Sequence, residues 1–312
     1  MRKLLILLCC FFMACSSEII AQNTPTAQPA ATGTKPVMAK GTNTGSPRIT
    51  FLYGDRELLV KTCQPAWGLV ILLEYDGRRI LFNAGGDENV LRNNMEALKI
   101  DPQSLDAVVI SHHHWEMVDG IGYLLRAKPS LPVYTTEVVA EGLGKGEWAQ
   151  NFINVPDLIA LTPNILVMSL QSPRFEGGPM GLQEVHIIVK TKDGLVILQG
   201  CGHPRIVNIM KKSIESTGEK RVWLIAGGTR LLRPGKAVKM PDGRVENIPQ
   251  MTYYRDEDYR KIADELLAAG VQKIIPTHCT LDAEPILKEK FGDKYIYQTL
   301  GMTLEIPAPA GN

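Results

Sequence analysis

Three strand-length apolar runs in this chain each end in histidine, and no other feature constrains the fold as much. The first is Asp106-Ala-Val-Val-Ile110, followed by Ser111-His-His-His-Trp-Glu-Met117. The second is Leu195-Val-Ile-Leu-Gln-Gly-Cys-Gly202 before His203, and the third is Val271-Gln-Lys-Ile-Ile-Pro-Thr277 before His278. Short apolar runs of this kind read as buried strands, and the sites of α/β proteins gather at the carboxyl ends of strands. His112 and His114, two residues apart on the turn leaving the first strand, can converge on one cation. Neutral imidazole is the commonest protein ligand for zinc and similar metals. With six His in the chain, a solvated histidine loop is the competing reading. Three strands each delivering His at the same end argue against it.

The remaining pattern fills out a layered domain. Short strands fit Arg48–Tyr53, Leu69–Tyr75 and Arg79–Phe82, with Asp76-Gly77 turning the hairpin between the last two. Asp87 is placed to cap a helix running to Leu98, with Val90, Leu91, Met95 and Leu98 on one face. Further helices are expected over Asp119–Lys128, after His203, over Asp256–Ala269 and from near Asp282. Glu184–Thr191 and Leu195–Gln199 make a second hairpin through Lys192-Asp-Gly194, and Arg221–Ala226 is another strand. Hairpins combined with strand–helix units predict two mixed β-sheets flanked by helices. Residues 141–183 and 231–252 are expected to be long surface loops.

Arg2-Lys3 and the apolar stretch Leu4–Ala14 have the make-up of a signal peptide, too short to span a bilayer as a helix. The stretch stops at Met13-Ala14-Cys15-Ser16-Ser17, which resembles the lipobox of bacterial lipoproteins. That resemblance implies cleavage before Cys15 and lipidation of its thiol; ordinary secretory cleavage and a buried terminal helix are the competing readings. Residues 16–47 are expected to be an unstructured linker, because Gln22 to Pro47 has almost no large apolar residue to offset the entropy of ordering. The domain is then 48–312, in the bacterial cell envelope, tethered to a membrane through its lipid anchor and facing the periplasm or exterior. A net charge of +1 gives no support for a nucleic-acid partner. Once the leader and the lipidated cysteine are set aside, Cys63, Cys201 and Cys279 remain, without CxxC spacing, so no disulfide framework is expected. Cys201 and Cys279 each lie within two residues of a candidate ligand histidine. They read as soft ligands, as an oxidation-prone pair or, by default, as small buried thiols.

Five segments taken in order carry a resemblance. They are Ile80-Leu-Phe-Asn-Ala-Gly85, Val109-Ile-Ser-His-His-His-Trp-Glu-Met117, Gly200-Cys-Gly-His-Pro204, Ala226-Gly-Gly-Thr-Arg230 and Pro276-Thr-His-Cys-Thr280. Together, over about Ile49–Pro307, they resemble the metallo-β-lactamase superfamily. The branch of 7,8-dihydropterin-6-methyl-4-(β-D-ribofuranosyl)aminobenzene-5'-phosphate synthases is the more similar part of it. The resemblance implies an α/β fold, an αββα sandwich of two mixed β-sheets flanked by helices, with metals at the sheet edges. The family's usual loop is His-x-His-x-Asp-His, whose first two His bind one metal and whose Asp and last His help bind a second. Here His112 and His114 match the first pair, Glu116 stands at the Asp position, and Met117 replaces the last His. Asn83 stands where the family usually has Asp, and Arg230 takes the place of a His in a Gly-Gly-x-His segment. His203 and His278 match the two later His of the family.

Carried to this sequence, the resemblance gives His112, His114 and His203 to one tightly held zinc, with nickel, iron or manganese as other occupants. Glu116 and His278 alone would hold a second ion weakly, since a thioether at 117 and a neutral amide at 83 are poor replacements. One ion suffices to lower the pKa of water toward ~7 and to polarise a carbonyl or phosphoryl oxygen. Glu116 is a candidate general base or the partner of a histidine. Arg230 offers a fixed positive charge for phosphate or carboxylate, or replaces the missing second cation electrostatically. Trp67 is read as a packing residue or cleft wall, His113 and Asp119 as outside the ligand set, and His186 as structural. The expected function is an exported metal-dependent hydrolase acting on a small-molecule ester, phosphoester or related bond. The competing one is a catalytically degenerate ligand-binding or interaction lipoprotein that keeps the fold.

Overall fold

The computed structural model describes residues 45–174, 181–235, 237–239, 243, 245–247 and 253–306. The expected leader at 1–15 and the linker as far as residue 44 lie outside the described residues. In chain order the elements begin with β1 (Arg48–Tyr53), β2 (Val70–Tyr75), β3 (Arg78–Phe82), α1 (Glu88–Ala97) and β4 (Ala107–Val109). Next come α2 (Trp115–Val118), α3 (Ile121–Ala127), β5 (Val133–Thr135), α4 (Glu137–Leu143), β6 (Phe152–Asn154) and β7 (Leu158–Ala160). The second half supplies β8 (Ile165–Gln171), β9 (Gln183–Thr191), β10 (Gly194–Gln199), α5 (Ile206–Thr217) and β11 (Val222–Gly227). The chain finishes with β12 (Ala237–Lys239), β13 (Val245–Asn247), α6 (Asp256–Ala268), β14 (Lys273–Pro276), α7 (Glu284–Phe291) and β15 (Thr303–Glu305).

These strands form two large sheets, in the orders β15-β1-β2-β3-β4-β5-β6 and β14-β11-β10-β9-β8-β7, with β12 and β13 pairing separately. Each large sheet is mixed: β1 to β3 and β7 to β10 run antiparallel, while β3 to β6 and β10-β11-β14 run parallel. Asp76 and Gly77 both take positive φ, 51° and 68°, the turn geometry that joins two twisted strands through two residues. Along β2 the period of two sends Ile71 and Leu73 into the core between the sheets and Val70 and Leu72 to the outer face. Both faces are covered, which is why these strands read as unbroken apolar runs. Leu91, Met95 and Leu124 of α1 and α3 cover the first sheet; Ile209, Met210, Leu266 and Leu287 of α5, α6 and α7 cover the second. Burying each such side chain contributes roughly 1.5–3 kcal/mol. The result is the expected four-layer αββα sandwich. Among the described residues no helix is long and apolar enough to cross a membrane.

Two expectations need correction. The stretch 141–183 is not a surface loop: it holds β6, β7 and the seven-residue β8, which pairs with β9 from Ile165 to Gln171. Ile165-Leu-Val-Met168 is an apolar run as good as its neighbours, and its buried partner β9 decides the matter. Within 231–252, Leu231 and Leu232 are buried and β12 and β13 form a hairpin. The helix expected over Asp119–Lys128 is present as α3, and a short α2 precedes it across Gly120. A Cβ there would lie 2.0 Å from the Ala84 carbonyl oxygen, so only glycine allows the approach.

Candidate metal centre

The carboxyl ends of β4, β10, β11 and β14 deliver the chemistry-bearing residues to one edge of the sandwich. His112 and His114 leave β4, Cys201 and His203 follow β10, Arg230 follows β11, and His278 and Cys279 follow β14. The three imidazoles of His112, His114 and His203 stand at mutual centroid separations of 4.7, 4.8 and 4.9 Å, each pair close to perpendicular. Each of the three offers a ring nitrogen within 4.8 Å of those of the other two. His112 Nε2 and both ring nitrogens of His203 are buried without a hydrogen-bond partner among the described residues. Orphaned buried nitrogens of this kind are costly unless a ligand satisfies them. Burial, reinforced by the neighbouring charges, holds His112 and His203 well below the usual imidazole range. They stay neutral, which metal ligation requires. The donor set therefore fits the zinc that the resemblance implies.

The trio is held from behind. Asn83 sits at the end of β3 at φ 66°, a left-handed conformation Asn tolerates better than most residues. Its Oδ1 accepts the Ser111 N–H at 2.8 Å, fixing the start of the histidine loop. Ser111 Oγ lies 2.9 Å from His112 Nδ1, leaving Nε2 as the ligand atom. Gly200 makes room for that hydroxyl, since a Cβ there would fall 2.3 Å from Ser111 Oγ. Glu184 of β9, fully buried, accepts the backbone N–H groups of Gly200, Gly202 and His203 at 3.0, 3.0 and 2.9 Å. Burial pushes its carboxyl up to about 7, against the pull of those three donors. Sequence reasoning missed Glu184. The available signal was an acidic residue in a strand with an apolar centre, two positions from His186 on the same face.

A second group lies alongside. Glu116, Cys201, His278 and Cys279 each offer a ligand atom within 4.8 Å of the others, and all four are buried. Cys201 also belongs to the first group, with His112, His114 and His203. Its Sγ is 3.4 Å from Glu116 Oε1, 3.4 Å from His278 Nε2 and 3.5 Å from Cys279 Sγ. Burial and then the neighbouring Cys279 push the Cys201 thiol well up. Burial alone would do the same to Cys279, but Cys201, His278 and Arg230 overcome it and hold that thiol well below its ordinary value. Glu116 is raised by burial, and its Oε1 is 3.8 Å from His114 Nδ1. Thus Glu116 and His278, expected to serve a second ion, come together with two cysteines that sequence reasoning took for packing. Arg230, 2 % exposed, is hydrogen-bonded to Cys279 and close to Cys201 and Glu116. Its charge is turned toward the thiols.

The other singled-out residues fall around this centre. Trp67 is buried in the inter-sheet core and meets the His278 ring edge-on at 5.2 Å. It also lines a cleft of about 370 Å³ with Asp55, Pro65, Lys239 and Leu281, so it is both packing residue and wall. His113 and Asp119 are exposed and belong to neither donor group. His186 is fully buried beside Glu184, at 3.6 Å, and burial depresses its pKa to about 3. Cys63 is buried apart from the other two cysteines, and no disulfide links the described cysteines.

The sequence pattern of the metallo-beta-lactamase superfamily matches residues 67–201, the span from Trp67 through the histidine loop to Cys201. Over that span the chain matches the metallo-β-lactamase superfamily. It is 26% identical, over 286 aligned positions covering 74% of this chain and 88% of its relative, to the 7,8-dihydropterin-6-methyl-4-(beta-D-ribofuranosyl)-aminobenzene-5'-phosphate synthase of Methanocaldococcus jannaschii. Among solved structures it is similar to Tm1679, described as a metal-dependent hydrolase of the beta-lactamase superfamily. That likeness has a TM-score of 0.65 and 23% identity, over 83% of this chain and 99% of the other. YhfI from Bacillus subtilis, a metallo-beta-lactamase fold protein, matches with a TM-score of 0.55 and 15% identity over 84% and 100%. At these identities the solved structures establish the αββα fold.

Proposed function

We propose that this chain is an exported, metal-dependent hydrolase whose ion is held by His112, His114 and His203. The observation that carries the reading is the triangle of imidazoles at the ends of β4 and β10, in which His112 and His203 are buried, neutral and have orphaned ring nitrogens. A divalent ion bound there supplies acidified water and polarises a carbonyl or phosphoryl oxygen. Glu116 is the proton acceptor: its carboxylate lies beside His114, and burial has raised its pKa toward the range useful for a base. Ser111 and Glu184 orient the ligands and take no part in the bond change. Substrate enters by the cleft walled by Trp67, where Lys239 supplies a positive charge suited to a phosphate or carboxylate. An ester or phosphoester is the substrate class, and the phosphate in the product name of the archaeal relative agrees with that choice.

The hydrolase reading is tested by assaying the full-length, zinc-loaded protein against a panel of esters and phosphoesters. Turnover that disappears in His203→Ala supports it; turnover that survives the substitution, or none with any substrate, counts against it. Export rests on the amino-terminal sequence, with lipidation at Cys15 tethering the domain to the cell envelope. Cys15→Ser should move the protein from membranes to the soluble fraction, and continued membrane association would defeat the anchor.

A further inference from the structure

We propose that Cys201 and Cys279 are a modification site, a buried dithiol that a small hydroperoxide oxidises to a reversible disulfide across the end of β11. The contact between the two sulfurs carries the argument. The Cys279 thiol donates to Cys201 Sγ at 3.5 Å, and the Cys201 thiol donates to Glu116 Oε1 at 3.4 Å. A disulfide needs a sulfur separation of about 2.05 Å, so closure takes about 1.5 Å of travel shared between two side chains. Nothing local brings the pair together. The cysteines follow β10 and β14, which are not neighbours, because β11 lies between them in the sheet. Two strand spacings amount to about 9.5 Å, more than the Cα separation of up to about 6.8 Å that a disulfide spans. Gly228, just past β11, opens the way. A Cβ there would lie 3.1 Å from the Cys201 Cα and 3.1 Å from Cε1 of His278, the residue before Cys279. With no side chain on the middle segment, the outer two approach one another over it.

Burial selects the oxidant. Both thiols are fully buried, which shuts out a protein oxidant or a glutathione-sized disulfide and leaves a small hydroperoxide. Cys279, hydrogen-bonded to Arg230, is the sulfur that attacks. It bonds to one peroxide oxygen, the O–O bond breaks, and the departing hydroxide takes the Cys279 proton and leaves as water. Cys279 is then a sulfenic acid. The Cys201 sulfur attacks it, the S–O bond breaks, and hydroxide leaves as water with the Cys201 proton, passed on through Glu116 Oε1. The two thiols lose two electrons in all, and hydrogen peroxide is reduced to two waters. A second thiol already in contact intercepts the sulfenic acid before irreversible oxidation. Cys63 has no thiol partner of this kind among the described residues. The effect on turnover rests on the hydrolase reading: once linked, Cys201 no longer donates to Glu116, so hydrolysis falls on oxidation and returns on reduction.

Hydrogen peroxide treatment of the reduced, full-length protein tests this, both as isolated and after a chelator has freed the thiols of any ion. Remaining thiols are blocked in denaturant, and the chain is digested with trypsin without reductant. The expected product is peptide 193–205 joined to peptide 274–288, lighter than their sum by two hydrogens, in most chains. Dithiothreitol should abolish it. Cys201 and Cys279 recovered as separate blocked thiols or as sulfinic acids in both preparations would overturn the proposal. So would pairing of either with Cys63 in equal yield, the mark of oxidation in unfolded chains. Every readout is on the wild type, so no variant has to fold. The linked peptide forms or fails to form whether or not the chain hydrolyses anything, so this proposal and the hydrolase reading fail separately.

Discussion

The two donor groups that meet at Cys201 are built in different ways. In the histidine trio, two imidazoles come from one turn and the third from a strand end, and the support is a hydrogen-bonded frame. Asn83, Ser111 and Glu184 fix the backbone or the outer ring nitrogen, while burial keeps His112 and His203 neutral. In the cysteine group the donors touch one another directly, and a buried arginine balances them. The first is positioned by its scaffold; the second is positioned by its own contacts. A scaffolded site should tolerate changes in its neighbour, whereas a self-contacting one should collapse when any member is removed.

The largest effect should come from the trio itself. His203→Ala should cost the chain one tightly held ion and reduce hydrolysis to background, read by elemental analysis and rate; retention at wild-type level would remove His203 from the ligand set. Next is the scaffold. Glu184→Gln gives up a carboxylate that accepts three backbone N–H groups and should weaken metal affinity by about 10–100-fold, measured by chelator competition. Unchanged affinity would mean that the loop after β10 holds itself. A third test separates the sites. Met117→His restores the family's residue, but Met117 is fully buried in the inter-sheet core. It should add no further ion and should lower stability by about 1–3 kcal/mol in urea titration. A gain of one ion would show that the second site was merely short of a ligand.

At neutral pH the smallest effect is the one that concerns protonation. His186 has a folded pKa of about 3 against an ordinary 6.5, because burial disfavours its charged form. The unfolded chain therefore binds the extra proton as pH falls below 6.5, and stability is lost through the window from 6.5 down to about 3. Glu184 acts in the opposite sense between its ordinary value and about 7, so only a difference measurement isolates the histidine. His186→Asn should gain on wild type by up to about 1.4 kcal/mol per pH unit below 6.5. A constant difference across that window would mean that His186 does not set the acid limit.

Much of the sandwich was legible because its strands are covered on both faces and its turns use Asp-Gly pairs. β1, β2, β3, β9 and β10 fall within a residue or so of their expected limits. β8 was not, because an apolar run framed by Pro163-Asn164 and polar residues looks like a loop until its partner β9 is known. The trio was legible for a similar reason: His112 and His114 advertise themselves by spacing, and His203 by its strand. The cysteine group was hidden because Cys201 and Cys279 are 78 residues apart and look like ordinary core thiols singly. Glu184 was hidden because a lone acid in a strand gives no hint that three amides of another segment point at it.

The central claim is that His112, His114 and His203 hold an ion. Metal content per chain, measured by elemental analysis of the full-length wild type and His114→Ala after removal of loosely bound ions, tests it most directly. The expected result is at least one retained zinc or similar ion per wild-type chain and one fewer in the variant. Equal metal content in the two proteins, or none in the wild type even after reconstitution, would contradict it and point to a binding protein that keeps only the fold.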